Sequence, residues 1–166
     1  MLNILKPGRA IFLLALYVCF FTNITHAESD EIAMTLSGID FFSGFQQSEL
    51  ELLAGIADLR PAGDGEYLFT QGIMSDSLYI LIEGRASVFS HGQFIVSLEA
   101  PQVLGEVELV DRRKASADVV ISGNSRVIGF KYDELLKVLN NNCELGFKFM
   151  KKIAAVLSER LLNMNP

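Results

Sequence analysis

Between Tyr67 and Lys131 the chain is broken by Gly or Asx residues into short apolar runs, and this segmentation constrains its fold more than any other feature. The runs are Tyr67 to Thr70, Ser77 to Ile82, Ala86 to Ser90, Phe94 to Leu98, Ala117 to Ile121 and Arg126 to Lys131, all rich in Val, Ile, Phe and Tyr. β-Branched and aromatic runs bounded by turn residues predict strands. Many short strands with close turns predict an antiparallel sandwich, jelly roll or small barrel rather than a parallel sheet.

Helices are expected on both sides. From Gly38 to Leu59 the positions Phe41, Phe42, Phe45, Leu50, Leu53, Ile56, Ala57 and Leu59 recur mostly at helical spacing, which predicts two short helices around Gly44. Ser48 is the expected N-cap of a helix from Glu49, and Gly63 and Gly65 around Asp64 end the helical stretch. A further helix is expected from Asp133 to about Asn140, and the last from Cys143 to Asn163. In that last helix Met150, Ile153, Leu157 and Met164 fall close to a and d spacing, while Phe149, Val156 and Leu161 widen the stripe. Such a stripe serves either a helix docked on its own barrel or one shared with a second copy or a protein partner. The fold class is therefore mainly β with flanking helices (α+β), one domain over residues 38–166, preceded by a short polar tether at 28–37. With 166 residues, half of them apolar, the chain supports one sizeable core and not a multidomain enzyme.

Residues 1–27 read as a secretory signal peptide. Lys6 and Arg9 precede an apolar run from Ala10 to Phe21, and Thr25-His26-Ala27 offers a small residue at the cleavage point. The run is far shorter than the roughly 20 residues of a membrane-spanning helix, so no permanent span is expected. Bulky Tyr17 and Val18 argue against a lipoprotein site at Cys19. The expected location is periplasmic or secreted, with a membrane tether through an uncleaved N-terminus as the alternative. Removing residues 1–27 leaves 12 Lys and Arg against 20 Asp and Glu, a formal charge of −8 that repels nucleic acid and acidic membranes. Cys143 would then be the one remaining cysteine, without an intrachain disulfide partner and expected to be buried and inert rather than a link to another chain.

Catalytic groups are not assembled in the sequence. Ser48 and Ser116 have no nearby His, and Glu106 and Glu108 lie two apart on a short helix, pointing in different directions. Asp64, Asp76 and Asp111 lack the spacing of a calcium loop, and the single His91 of the processed chain makes no metal site. No enzyme and no cofactor are expected. Gly72 and Gly84 read as turn residues with positive φ, and Phe69 and Tyr79 as core.

Four segments resemble the cyclic nucleotide-binding domain family, which includes catabolite activator-type regulators and regulatory subunits of cyclic nucleotide-dependent kinases. They are Ile39-Asp40-Phe41-Phe42-Ser43-Gly44-Phe45, Gly65 to Gly72, Ser75 to Val88, and the cassette Leu104-Gly105-Glu106-Val107-Glu108-Leu109-Val110-Asp111-Arg112-Arg113-Lys114-Ala115-Ser116-Ala117. The likeness runs from Leu36 to Asn163 and implies a double-stranded β-helix or jelly roll with cyclic AMP, cyclic GMP or another small anion as ligand. Gly105 lets backbone approach a ligand, and residues 105–110 begin a short helix whose N–H groups face an anion. By resemblance Gly105, Glu106, Val107, Ser116 and Ala117 belong to the site, with Glu106 on the ribose 2′-hydroxyl and Ser116 at the phosphate.

The cassette also departs from the family pattern. Ala115 stands where the family has the arginine that grips the phosphate with two parallel hydrogen bonds, and Glu108 stands where it has a small residue. Loss of a charge-assisted hydrogen bond removes about 1.5–3 kcal/mol. Arg113 and Lys114 are the candidate replacements: on an extended segment Arg113 shares the face of Ala115, and Lys114 points away. The alternative is three solvated cations, Arg112 to Lys114, in a surface loop. Glu106 has an alternative too, as a carboxylate stabilising the start of its own helix. The resemblance implies a non-enzymatic ligand-sensing or regulatory module with nucleotide binding weakened or lost and the last helix as output. The competing reading is a degenerate jelly roll serving as a protein-interaction or structural module through that helix. No DNA-binding module is expected after it.

Overall fold

The computed structural model describes residues 27–164, so the expected leader lies outside the described residues except for Ala27. Residues 27–37 are helical (α1) and not a tether. Ile32, Ala33 and Leu36 recur one helical turn apart and are buried, which is enough to dock an otherwise polar segment on the core. A 3-10 turn, Asp40–Phe42, leads to α2, Gln47–Ala54. Its N-cap is Gln46 rather than Ser48: the Gln46 N–H donates to Glu49 Oε2 at 2.7 Å and closes a capping box.

Six antiparallel strands follow: β1 (Ala57–Ala62), β2 (Tyr67–Phe69), β3 (Ser77–Ser90), β4 (Gln93–Glu99), β5 (Gln102–Leu104) and β6 (Asp118–Lys131). The sheet order is β1-β6-β3-β4, with β2 also paired to β6 and β5 to β3. Two differences from the sequence reading have one cause, that strand pairing is decided by distant partners. Ala57 and Leu59, which carry helical spacing, belong to β1, held by β6; Pro61 is tolerated there because β1 is an edge strand. The pairs of runs on either side of Gly84 and Gly123 are each one continuous strand of 14 residues. Gly84 has φ +92°, and a Cβ there would lie 2.1 Å from Ser125 Oγ, so the two long strands cross at a point only glycine allows.

Alternation along the long strands feeds two cores. Leu78, Ile80, Ile128 and Phe130 face the helices, while Leu81, Ala86, Ile121 and Val127 face the inside of the roll with Phe69, Leu104 and Ala115. The mainly antiparallel roll with flanking helices is the fold class read from the sequence.

The final helices are α4, Tyr132–Asn141, and α5, Cys143–Met164. α5 buries Leu145, Phe149 and Ile153; the Phe149 ring meets Phe41 edge-on at 5.2 Å, and Lys148 Nζ pairs with Glu49 Oε1 at 3.0 Å. Cys143 is exposed, contrary to expectation, because it opens α5 two residues before the first buried position. Phe147 and Leu162 are 72% and 73% exposed, so the apolar stripe is wider than the face that docks. No helix among the described residues is long and apolar enough to cross a membrane.

Candidate functional site

The cassette folds as β5, a left-handed glycine, and the six-residue helix α3, Glu106–Asp111. Gly105 has φ +89°, and a Cβ on it would sit 2.5 Å from Phe69 Cζ and 3.0 Å from Tyr132 Oη. Tyr132 Oη donates to the Gly105 carbonyl at 2.9 Å, so the helix start is wedged between the roll and α4.

Glu106 is buried, at 1% exposure. Its Oε1 accepts a hydrogen bond from Arg160 Nη1 of α5, and Arg160 Nη2 donates to the Val103 carbonyl at 2.6 Å. Glu106 Oε2 is buried with no hydrogen-bond partner. Burial pushes the Glu106 carboxyl above the ordinary range; Glu108 adds to the push and Arg160 opposes it. The Tyr132 phenol is also raised, by burial first and then by Glu108 and Glu106, against a hydrogen bond with Ser75 and the charge of Arg112.

Glu108 is buried as well, and its Oε1 accepts the Ser116 backbone N–H at 3.1 Å, with Ser116 Oγ at 3.5 Å. Ser116, which the resemblance assigns to the phosphate, is therefore engaged by a carboxylate of the same chain. Glu106 and Glu108 take different partners, Arg160 and Ser116, yet both residues line one cavity of about 90 Å³ with Gly105, Val107, Ser116, Ala117 and Arg160. Phe69, Val88, Leu98, Leu104 and Val119 form the apolar wall.

The candidate replacements for the missing arginine sit elsewhere. Arg113 pairs with Asp111 at the surface, and Lys114 is exposed with its backbone bridged to Met74. Neither lines the cavity. Face alternation fails for Arg113 because Arg112 is left-handed (φ 49°), capping α3 instead of extending. Arg112 lies over the Tyr132 ring at 5.6 Å and pairs with Asp133 at 3.1 Å. Ala115 is 4% exposed inside the roll, its backbone held by Gly72 and Ile73 at 2.9 and 2.8 Å.

Arg160 is the site residue that sequence reasoning missed. The available signal was its place seven residues after buried Ile153, which puts a cation on the docked face of α5. Among the described residues no cluster of three or more His, Cys, Asp or Glu is placed to hold a metal ion.

Comparison with known proteins places the fold. A family model described as the cyclic nucleotide-binding domain matches residues 59–142, just over half of the chain. No curated protein matches it. A cyclic nucleotide-binding domain from Methylobacillus flagellatus superposes with TM-score 0.70 at 23% identity, covering 81% of this chain and 79% of that one. The regulatory domain of Toxoplasma gondii PKA, solved with cAMP, gives 0.67 at 19% identity, covering 83% and 51%. The regulatory subunit of a cAMP-independent protein kinase A from Trypanosoma brucei gives 0.67 at 19%, covering 82% and 46%. This chain spans about half the length of each kinase structure, and at these identities the likeness is one of fold.

Proposed function

The chain belongs to the cyclic nucleotide-binding domain family, and from that premise we propose that it is a non-enzymatic ligand-sensing or regulatory module in which ordinary cyclic nucleotide binding is weakened or lost. One observation carries the reading: the Glu108 carboxylate already holds the Ser116 N–H. An incoming phosphate would meet a fixed negative charge where the family offers an arginine, and like charges at such a site repel. The cavity points the same way, since about 90 Å³ is well below the roughly 300–1,000 Å³ of typical ligand pockets. The Trypanosoma brucei relative, described as cAMP-independent, is a precedent for the fold serving regulation without that ligand.

The output in this reading is α5. Arg160 joins that helix to Glu106, so any change at the cassette alters the hold on the last turns of the chain. Export is part of the proposal: the leader at residues 1–27 delivers the domain to the periplasm or exterior. Cleavage after Ala27 would spare every buried residue of α1, which begin at Ile32. Fractionation of expressing cells followed by intact mass tests it, and a cytoplasmic chain retaining Met1 would overturn it.

Calorimetric titration of the full chain with cyclic AMP, cyclic GMP and inorganic phosphate tests the site. No saturable heat below millimolar ligand is expected. Submillimolar binding of either nucleotide would overturn the reading.

A second reading is favoured by the apolar surface left on α5, where Phe147 and Leu162 are 72% and 73% exposed and Met150 39%. Such residues suit a second copy or a protein partner. Sedimentation of the chain beside Phe147→Ser and Leu162→Ser variants tests it: a concentration-dependent dimer lost in the variants supports the reading, and a monomer at all concentrations removes the homodimer.

A further inference from the structure

We infer that Glu108 is a built-in substitute for a bound anion: by engaging Ser116 it holds α3, and through α3 the end of α5, in one arrangement that needs no ligand. The inference rests on the reading that Glu108 closes the anion position, and deepens it by naming what the closure does. A six-residue helix is too short to hold its own place, so the position of α3 is set by its ties to the rest of the fold. Ties reach it from α4, from α5 and from the segment before β6. Tyr132 donates to the Gly105 carbonyl at 2.9 Å, Arg160 donates to Glu106 Oε1, and the Ser116 N–H donates to Glu108 Oε1 at 3.1 Å.

Ser116 is a fixed post for the last of these. Its carbonyl accepts Gln71 Nε2 at 3.0 Å, the Gln71 N–H donates to Asp118 Oδ1 at 2.7 Å, and the backbone of Ala115 is bonded to Gly72 and Ile73 at 2.9 and 2.8 Å. Glu108 therefore fastens the short helix to the wall of the roll. The side chain is 6% exposed, so the bond is shielded from water, and a buried carboxylate is stable only when such a donor is supplied. Glu106 and Glu108 sit on the same turn of α3, so the bond at Ser116 also fixes where Glu106 stands. Arg160 reaches Glu106 with Nη1 and the Val103 carbonyl with Nη2 at 2.6 Å. A planar guanidinium meets both acceptors only while α3 keeps its distance from β5. The population of the held arrangement is thus set by a contact within the chain and not by the concentration of a ligand.

The test measures amide hydrogen exchange on the full chain for the wild type, Glu108→Gln and Glu108→Ala, each with sodium acetate against sodium chloride of equal ionic strength. In the wild type the Ser116 N–H and the end of α5 should exchange slowly, with no response to acetate. Glu108→Ala should quicken both about tenfold or more, the scale of one charge-assisted hydrogen bond. Acetate, a carboxylate of the same charge as the one removed, should slow both again where chloride does not. Glu108→Gln keeps an acceptor for Ser116 and should stay closer to the wild type than to Glu108→Ala. In an Arg160→Ala background Glu108→Ala should add nothing at the end of α5, because the tie through Glu106 is already cut. An unchanged α5 in a folded Glu108→Ala protein, exchange that acetate does not slow, or a Glu108→Gln protein as loose as Glu108→Ala would overturn the inference. If Glu108→Ala does not fold, the wild type decides: a Ser116 N–H that exchanges as fast as a solvent-facing amide overturns it, and a protected one supports it. Calorimetry with cyclic AMP separates the two readings. Loss of the inference without nucleotide binding leaves the closed anion position standing, and submillimolar binding to the wild type removes both.

Discussion

The Glu108 carboxylate accepts the Ser116 N–H at 3.1 Å across the open end of the cassette, joining the helix to the segment that leads into β6. The contact is local, eight residues apart, and it places an anion of the chain itself on a donor that would otherwise face a ligand. Arg160 does the complementary thing from 54 residues away, placing a cation on Glu106.

Restoring nucleotide binding requires two changes. Ala115→Arg alone introduces a guanidinium beside Glu108, and the two would pair with each other. Glu108→Ala alone frees the Ser116 donor without a cation to hold a phosphate. The double variant should bind cyclic AMP at least about tenfold more tightly than either single variant, since a charge-assisted bond contributes about 1.5–3 kcal/mol. Calorimetry on the four proteins checks this, and additive or absent gains would show that the cavity is closed for another reason.

Arg160→Ala leaves Glu106 buried without its cation. Arg160 is itself 38% exposed, so solvent screens the pair and the loss is expected at about 1–2 kcal/mol in urea unfolding rather than the larger value of a fully buried pair. Amide exchange should quicken at the end of α5 while the segment around Phe149 keeps its protection.

Stability should fall as pH rises through the range where Glu106 ionises. Its folded pKa is raised, so the folded chain binds the proton more tightly than the unfolded one; the contribution is complete below the ordinary carboxylate value and lost as pH climbs through the raised value. The groups facing it are Arg160 from α5, Glu108 from its own helix and Tyr132 from α4. Glu49 runs the opposite way. Burial works against its charge, yet the Gln46 N–H and Lys148 hold its pKa below the ordinary value, so its contribution is present above that value and lost as pH falls. Urea unfolding across pH should show Glu106→Gln flattening the slope on the alkaline side and Glu49→Gln that on the acid side.

Gly105→Ala should destabilise the fold by about 2 kcal/mol or more, because φ +89° is strained for any side chain and the Cβ would press on Phe69. Thermal melting checks it, and the loss should be smaller in a Phe69→Leu background.

How much was legible depended on the range of the interaction. The six apolar runs and their turns revealed the roll because strand periodicity and glycine turns are local properties. The same locality misled the reading at Gly84 and Gly123, where β3 and β6 continue through a bend that only their mutual pairing stabilises. It misled again at Ala57 and Leu59, whose helical spacing yields to hydrogen bonding with β6. Cys143 was misread because composition gives a residue's average burial and not its place on α5.

At the cassette, residue order is enough to establish that Gly105, Glu106 and Ser116 are present, that Ala115 stands where the family has its arginine, and that Glu108 is out of pattern. These are identities, and identities at fixed spacing need no coordinates. What the charges do is visible in the folded chain alone: Arg113 turns to Asp111, Glu108 takes the Ser116 N–H, and Arg160 of α5 reaches Glu106. The reason is physical: a charge acts through distance and burial, and both are set by how α5, α3 and the roll pack.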